Sequence, residues 1–306
     1  MKRLRTFFRV FITGWLAGGG AIAASAATAE PEAPRPPELL FEAPELGDAA
    51  LERPRAVDPE SFLSLMDLLG LEDPGPPIRV LVVAEGSLEA RRAPSWSVGY
   101  AIGEAGLVVL IPSRIPAAPT YPDRGLEAVL RHEIAHVLIA RAARRRPIPR
   151  WFNEGLAVFA VRGWGMDDRT RLVWATFRRG PSLQDLDASF QSGSYRAGRA
   201  YALAAAFVRF LLERYGEDAA AGILARVGEG DSFATALRSA TGSTLATVED
   251  RFWSHLDFWN KWIPFLTSSA ALWTMITALA LWAFKRRRDR DAEVRDRWQQ
   301  EELAEA

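Results

Sequence analysis

The chain has 306 residues, 38 basic against 38 acidic, and no cysteine. Balanced charge argues against a nucleic-acid binder whose affinity comes from neutralising phosphates. Without cysteine there are no disulfides, no thiolate metal sites and no thiol nucleophile, so any transition-metal site must be built from His, Asp and Glu.

The chain opens on the basic stretch MKRLRTFFRV, followed by the glycine-loosened apolar run FITGWLAGGGAIAA. Small-x-small sites follow at Ala24-Ser25-Ala26 and Ala27-Thr28-Ala29. That order predicts a secretory leader over residues 1–29. Residues 30–57, with EPEAPRPPELL, read as a proline-rich linker or arm. DPESFLSLMDLLGL then predicts a short helix, and the β-branched run IRVLVVA a strand. SWSVGYAI and GLVVLIPS predict two more strands, joined by a turn around Gly103 and Gly106. Prolines 112, 116, 119 and 122 break the chain after them.

From Asp123 the reading is helical. Gly125 to Arg146 forms one helix, and the arginines at 141, 144, 145 and 146 suit its C-terminal end. WFNEGLAVFAV begins a second, with Asn153 as a possible cap. YALAAAFVRFLLERYG is a third, stopped by Gly216. EDAAAGILARVG, SFATALRSAT and TLATVEDRFWSHLDFW are three more. The uncharged run Ile263–Phe284, flanked by Trp259, Trp262 and Trp282 and followed by KRRRDR, predicts a transmembrane helix. The basic residues after it mark a cytoplasmic tail over 285–306. The fold class is therefore α+β: a small N-terminal β-sheet, then a mostly helical domain, then a C-terminal transmembrane helix. The domain is expected over 58–260, in a single-pass membrane protein that carries it in the periplasm or outside the cell.

Two of the three histidines sit four apart in RHEIAHVLIA. On a helix, residues at that spacing share a face, so His132 and His136 can aim two imidazoles at one point. Glu133 lies about 100° round from His132, at the edge of that face. This H-E-x-x-H pattern suits two zinc ligands and a glutamate that moves a proton of the attacking water. A catalytic zinc takes a third protein ligand. Glu154, in PRWFNEGLAVFA, is the candidate, because a return of two helices brings it against the histidine pair. Trp151, Phe152 and Leu156 around it argue against a freely solvated face.

HEIAH followed by WFNEGLA resembles the gluzincin metallopeptidases, and most closely the peptidase MA-like domains. The likeness runs from about Ile78 to Trp259. It implies one zinc ion held by His132, His136 and Glu154, with Glu133 as general base. It also implies that the last strand before the motif helix is a sheet edge that holds an extended peptide; GLVVLIP is the matching segment. A tyrosine on a later helix stabilises the oxyanion in such proteins. AYALAAAFVRFL resembles that helix, making Tyr201 the candidate and Tyr195 the reserve.

Three departures shape the expectation. There is no G-x-M-E-N segment to anchor a free amino terminus, so an endopeptidase is favoured over an aminopeptidase. Val158 stands where the thermolysin-like branch has an aspartate that orients a histidine. The remaining histidine, His255, lies close to the expected membrane span and reads as structural. The function expected is a membrane-anchored zinc endopeptidase acting on peptide or protein substrates, with no nucleic-acid partner. The alternatives are a catalytically silent binding module on the same fold and a zinc hydrolase of a non-peptide amide.

Overall fold

The computed structural model describes residues 34–115, 125–162, 182–190, 194–266 and 269–305. The leader expected over 1–29 lies outside the described residues, as do the prolines at 116, 119 and 122. The chain is mostly helical with one small sheet. Its strands are β1 (Leu39–Glu42), β2 (Ile78–Val82), β3 (Gly99–Ile102) and β4 (Leu107–Leu110). Helices α1 (Leu63–Leu69), α2 (Leu88–Arg92), α3 (Leu126–Ala142), α4 (Arg150–Arg162) and α5 (Leu183–Ser189) come next in chain order. They are followed by α6 (Ser194–Tyr215), α7 (Ala219–Glu229), α8 (Phe233–Thr241), α9 (Leu245–Leu266) and α10 (Ser269–Glu305).

The four strands lie in the order β1-β2-β4-β3. β1, β2 and β4 run parallel, and β3 pairs antiparallel with β4. The segment expected as a loose arm thus contributes a strand, and Leu51 and Val57 from it are buried in the core. Alternation along β2 explains its register. Ile78, Val80 and Val82 face the core, while Arg79 turns outward and makes a two-pronged ion pair with Glu42. β4 has no such alternation: Val108, Val109, Leu110 and Ile111 are all fully buried. Val108 and Leu110 join the main core, and Val109 and Ile111 pack with Val83 and Ala90 on the opposite face. A continuous apolar run of this kind belongs to a strand covered on both faces. β4 is accordingly interior, and the expected edge at GLVVLIP is corrected: among the described residues the sheet edge before the motif helix is β3.

α3 carries Leu130, Ile134, Ala135, Val137 and Leu138 into the core and lies beside β3. Gly103, in the turn after β3, has no room for a side chain. A Cβ there would meet Ala140 Cβ of α3 at 2.5 Å. α4 packs on α3 and, most extensively, on α6. Gly155 allows that second contact, because a Cβ on it would stand 2.6 Å from the Ala204 carbonyl oxygen. The neighbour is backbone and cannot swing aside. Gly155→Ala is expected to destabilise the protein by about 1–3 kcal/mol through overpacking. Urea unfolding measures this, and an unchanged midpoint would mean the helices do not touch there.

The membrane-spanning helix expected over Ile263–Phe284 is overturned. Among the described residues, no helix is long and apolar enough to cross a membrane. Among the described residues the apolar stretch falls in α9 up to Leu266 and in α10 from Ser269. From Ser269 to Phe284 a helix rises only about 24 Å at 1.5 Å per residue, short of the roughly 30 Å of a bilayer core. Lys285, Arg286, Arg287 and Arg288 follow at once. The expected single-pass topology falls with it.

Candidate metal centre

α3 and α4 position the site. α3 presents His132 and His136 one turn apart, with ring centroids 4.6 Å from each other and the rings near perpendicular. α4 starts after Pro149, whose carbonyl accepts from the backbone N–H groups of Phe152 and Asn153. Its first turn is fixed from two sides. The Trp151 backbone N–H donates to Asp187 of α5 at 3.0 Å. The buried Trp151 ring meets Phe152, Phe207 and Phe233 edge-on. The helix therefore begins earlier than the sequence suggested. Asn153 is not its cap but sits inside the first turn.

That shift gives Asn153 a different role. Its Oδ1 lies 3.0 Å from His136 Nδ1, which donates to it. A ring held this way keeps Nε2 free as a ligand. This is the partner that the sequence reading lacked. The signal was present in Pro149, which favours the first helical turn and moves the helix start ahead of Asn153. Among the described residues no side chain pairs with His132 Nδ1, and Val158 is buried without a polar atom to offer. Asn153→Ala is expected to lower metal affinity about 10–100-fold. Competition against a chelator checks this, and unaltered affinity would remove the orienting role.

Three ligand atoms converge. His132 Nε2 and His136 Nε2 are 3.1 Å apart, and Glu154 Oε2 is 3.5 Å from each. His132, His136 and Glu154 form a possible metal site, with one ligand atom from each within 4.8 Å of the others. Glu154 Oε2 is buried and has no hydrogen-bond partner. Two imidazole lone pairs and a carboxylate oxygen at these separations repel unless a cation or a proton sits among them. Donors bonded to one tetrahedral ion at about 2.0–2.1 Å stand about 3.3 Å apart. The observed triangle is close to that, so these residues fit a divalent metal.

The electrostatics follow from the same contacts. Burial pushes the His136 imidazolium down, but the Glu154 carboxylate more than offsets it and carries the group up to about 9. Burial pushes the Glu154 carboxyl up, and the two imidazoles hold it far below the usual carboxylate range instead. Glu133, 8 % exposed, stands beside the triangle without joining it. Burial raises its carboxyl above the ordinary value against the pull of both histidines.

Tyr201, on α6, stands edge-on to His132 with ring centroids 6.3 Å apart, and packs on Phe190 at 5.0 Å. Burial pushes its hydroxyl pKa well up, so the hydroxyl stays protonated. Tyr195 heads the same helix, and its side chain lies outside those described. His255 is on α9 with its ring against Phe210. Arg150, which the sequence reading passed over, brings its Nε to 3.4 Å from Glu154 Oε1.

An H-E-x-x-H helix meeting a glutamate from the next helix is the arrangement of a gluzincin metallopeptidase. The chain belongs to the Peptidase MA superfamily, whose sequence model matches residues 85–257, more than half of its length. No curated protein matches the chain.

Proposed function

We propose that the chain is a zinc-dependent endopeptidase. The observation that supports this best is Glu154 Oε2, buried, without a hydrogen bond, and facing both Nε2 atoms. A carboxylate kept in that position is explained by a cation. An N,N,O donor set suits zinc, with a fourth position left for the reaction.

His132, His136 and Glu154 hold the ion, and Asn153 keeps His136 in the ligating tautomer. When bound, zinc supplies a Lewis acid that polarises the scissile carbonyl and acidifies water. Glu133 takes the proton of the attacking water and returns it to the leaving amine. Its raised pKa suits that exchange, because a base must also be able to act as the acid afterwards. Tyr201 donates its hydroxyl proton in a hydrogen bond to the carbonyl oxygen as negative charge develops there. The free edge of β3 offers backbone N–H and C=O groups to an extended peptide. The lack of a G-x-M-E-N segment favours internal bonds over amino-terminal ones.

The full chain, purified and metal-analysed, is expected to carry one zinc and to cut members of a mixed peptide library away from their ends. A chelator should stop cleavage, and added zinc should restore it. A chain without zinc, or one that only removes terminal residues, would overturn the reading. Tyr201→Phe is expected to keep the zinc and to lose about 10²–10³-fold in kcat, the usual effect of deleting one oxyanion donor. Equal turnover would remove Tyr201 from the mechanism.

A further inference from the structure

Arg150 opens α4, one turn before Glu154. Its Nε reaches Glu154 Oε1 at 3.4 Å, and its guanidinium lies over the Phe190 ring, 5.3 Å from the centroid. Phe190 also packs on Tyr201. The arginine thus touches both the candidate carboxylate ligand and the ring that packs on the tyrosine. One donor and one ring face are engaged. Among the described residues no acceptor is bonded to Nη1 or Nη2, and the side chain is 35 % exposed. Those two nitrogens form the planar fork that matches a carboxylate.

Charge points the same way. With the ion bound, its two positive charges and that of Arg150 outweigh Glu133 and Glu154. Holding the guanidinium by Phe190 and Glu154 lowers the ordering cost of a further contact.

We propose that Arg150 determines specificity, selecting substrates that carry a carboxylate beside the scissile bond and binding it through Nη1 and Nη2. This rests on the peptidase reading above, and its test does not need turnover.

The probes are acetyl-Ala-Ala-Glu-Ala-Ala-amide, the same peptide with Gln in place of Glu, and the Gln peptide with a free C-terminal acid. Their binding to the zinc-loaded full chain carrying Glu133→Gln is measured by calorimetry. The Glu peptide is expected to bind about tenfold more tightly than the neutral Gln peptide. Preference for Glu over Gln supports a side-chain carboxylate, and preference for the free acid alone overturns the proposal, because a C-terminal carboxylate beside the scissile bond belongs to removal of terminal residues. Adding Arg150→Gln is expected to abolish the preference with zinc content unchanged, and Arg150→Lys to restore part of it. Equal binding of all three peptides, no binding of any, or a preference that survives Arg150→Gln overturns the proposal. So does a variant that weakens acidic and neutral peptides alike or loses its zinc, because Arg150 would then only hold Glu154 in place. Failure of the peptidase reading looks different: the preference persists, while the zinc-loaded natural chain leaves every peptide uncut.

Discussion

Glu133→Gln is expected to leave the protein folded and zinc-loaded and to lower kcat about 10²–10⁴-fold, the range of a lost general base. The argument is one of shape against charge. Glu133 is buried, so its replacement must fill the same space, and glutamine does. It lies outside the ligand triangle, so zinc content should stay at that of the natural chain. An amide cannot accept the proton of the attacking water, and this is the one property removed. Burial has already raised the Glu133 carboxyl, so the substitution also ends the cost of a charge in a nearly dry position. Thermal stability should therefore not fall. Three measurements separate the outcomes: zinc by elemental analysis, folding by circular dichroism, and kcat on a peptide that the natural chain cuts. Activity within tenfold of the natural chain, with zinc and fold intact, would rule out the base assignment.

Glu154→Ala is expected to abolish tight zinc binding and all cleavage. The site would fall from three ligands to two, and Glu154 is the only anionic ligand of the set. The loss also bears on stability. An ion that binds only the folded chain stabilises it by about 2.7 kcal/mol when present at a hundred times its Kd. Added zinc should raise the melting temperature of the natural chain and leave that of the variant where it was. The variant also loses the Oε1 contact with Arg150 and the carboxylate beside both imidazoles, so its melting temperature is compared with that of the natural chain without added zinc. Calorimetric titration reads affinity and a thermal melt reads the linkage. Stoichiometric zinc in the variant would place the ion elsewhere, and the enzyme proposed above would fall with it.

Legibility in the sequence varied with how local the cause was. The H-E-x-x-H pair needs only helical periodicity, and both imidazoles meet as that periodicity requires. Glu154 needed the return of α4 onto α3, which no spacing fixes; its apolar neighbours were the clue, and Trp151 and Phe152 are indeed buried anchors. Asn153 was misread because a residue that caps well also serves well inside a first turn. Only the position of the helix start distinguishes the two, and the Asp187 carboxylate that helps to set it comes from another helix. The order of strands was hidden because an apolar run such as GLVVLIP says that both faces are covered, not which strand lies alongside. Arg141 read as a solvated helix end, yet its guanidinium donates to the carbonyls of Pro74 and Pro76 in the loop before β2. Long side chains of this kind choose partners across the fold that sequence distance conceals. The apolar stretch after Trp262 shows the converse. Composition alone suggested one continuous span, whereas among the described residues no helix is long and apolar enough to cross a membrane.

The sheet's strand order has a practical consequence for excision of the domain. The family match begins at residue 85, after β1 and β2 have been traversed. A fragment cut at that boundary would keep every candidate ligand, yet it would lack half the strands and the Ile78, Val80 and Val82 layer that belongs to the same core as α3. β4 would become a bare flank, open to pairing with other chains. The recognisable stretch is thus smaller than the piece that can fold, and any truncation meant to stay monomeric has to begin upstream of Leu39.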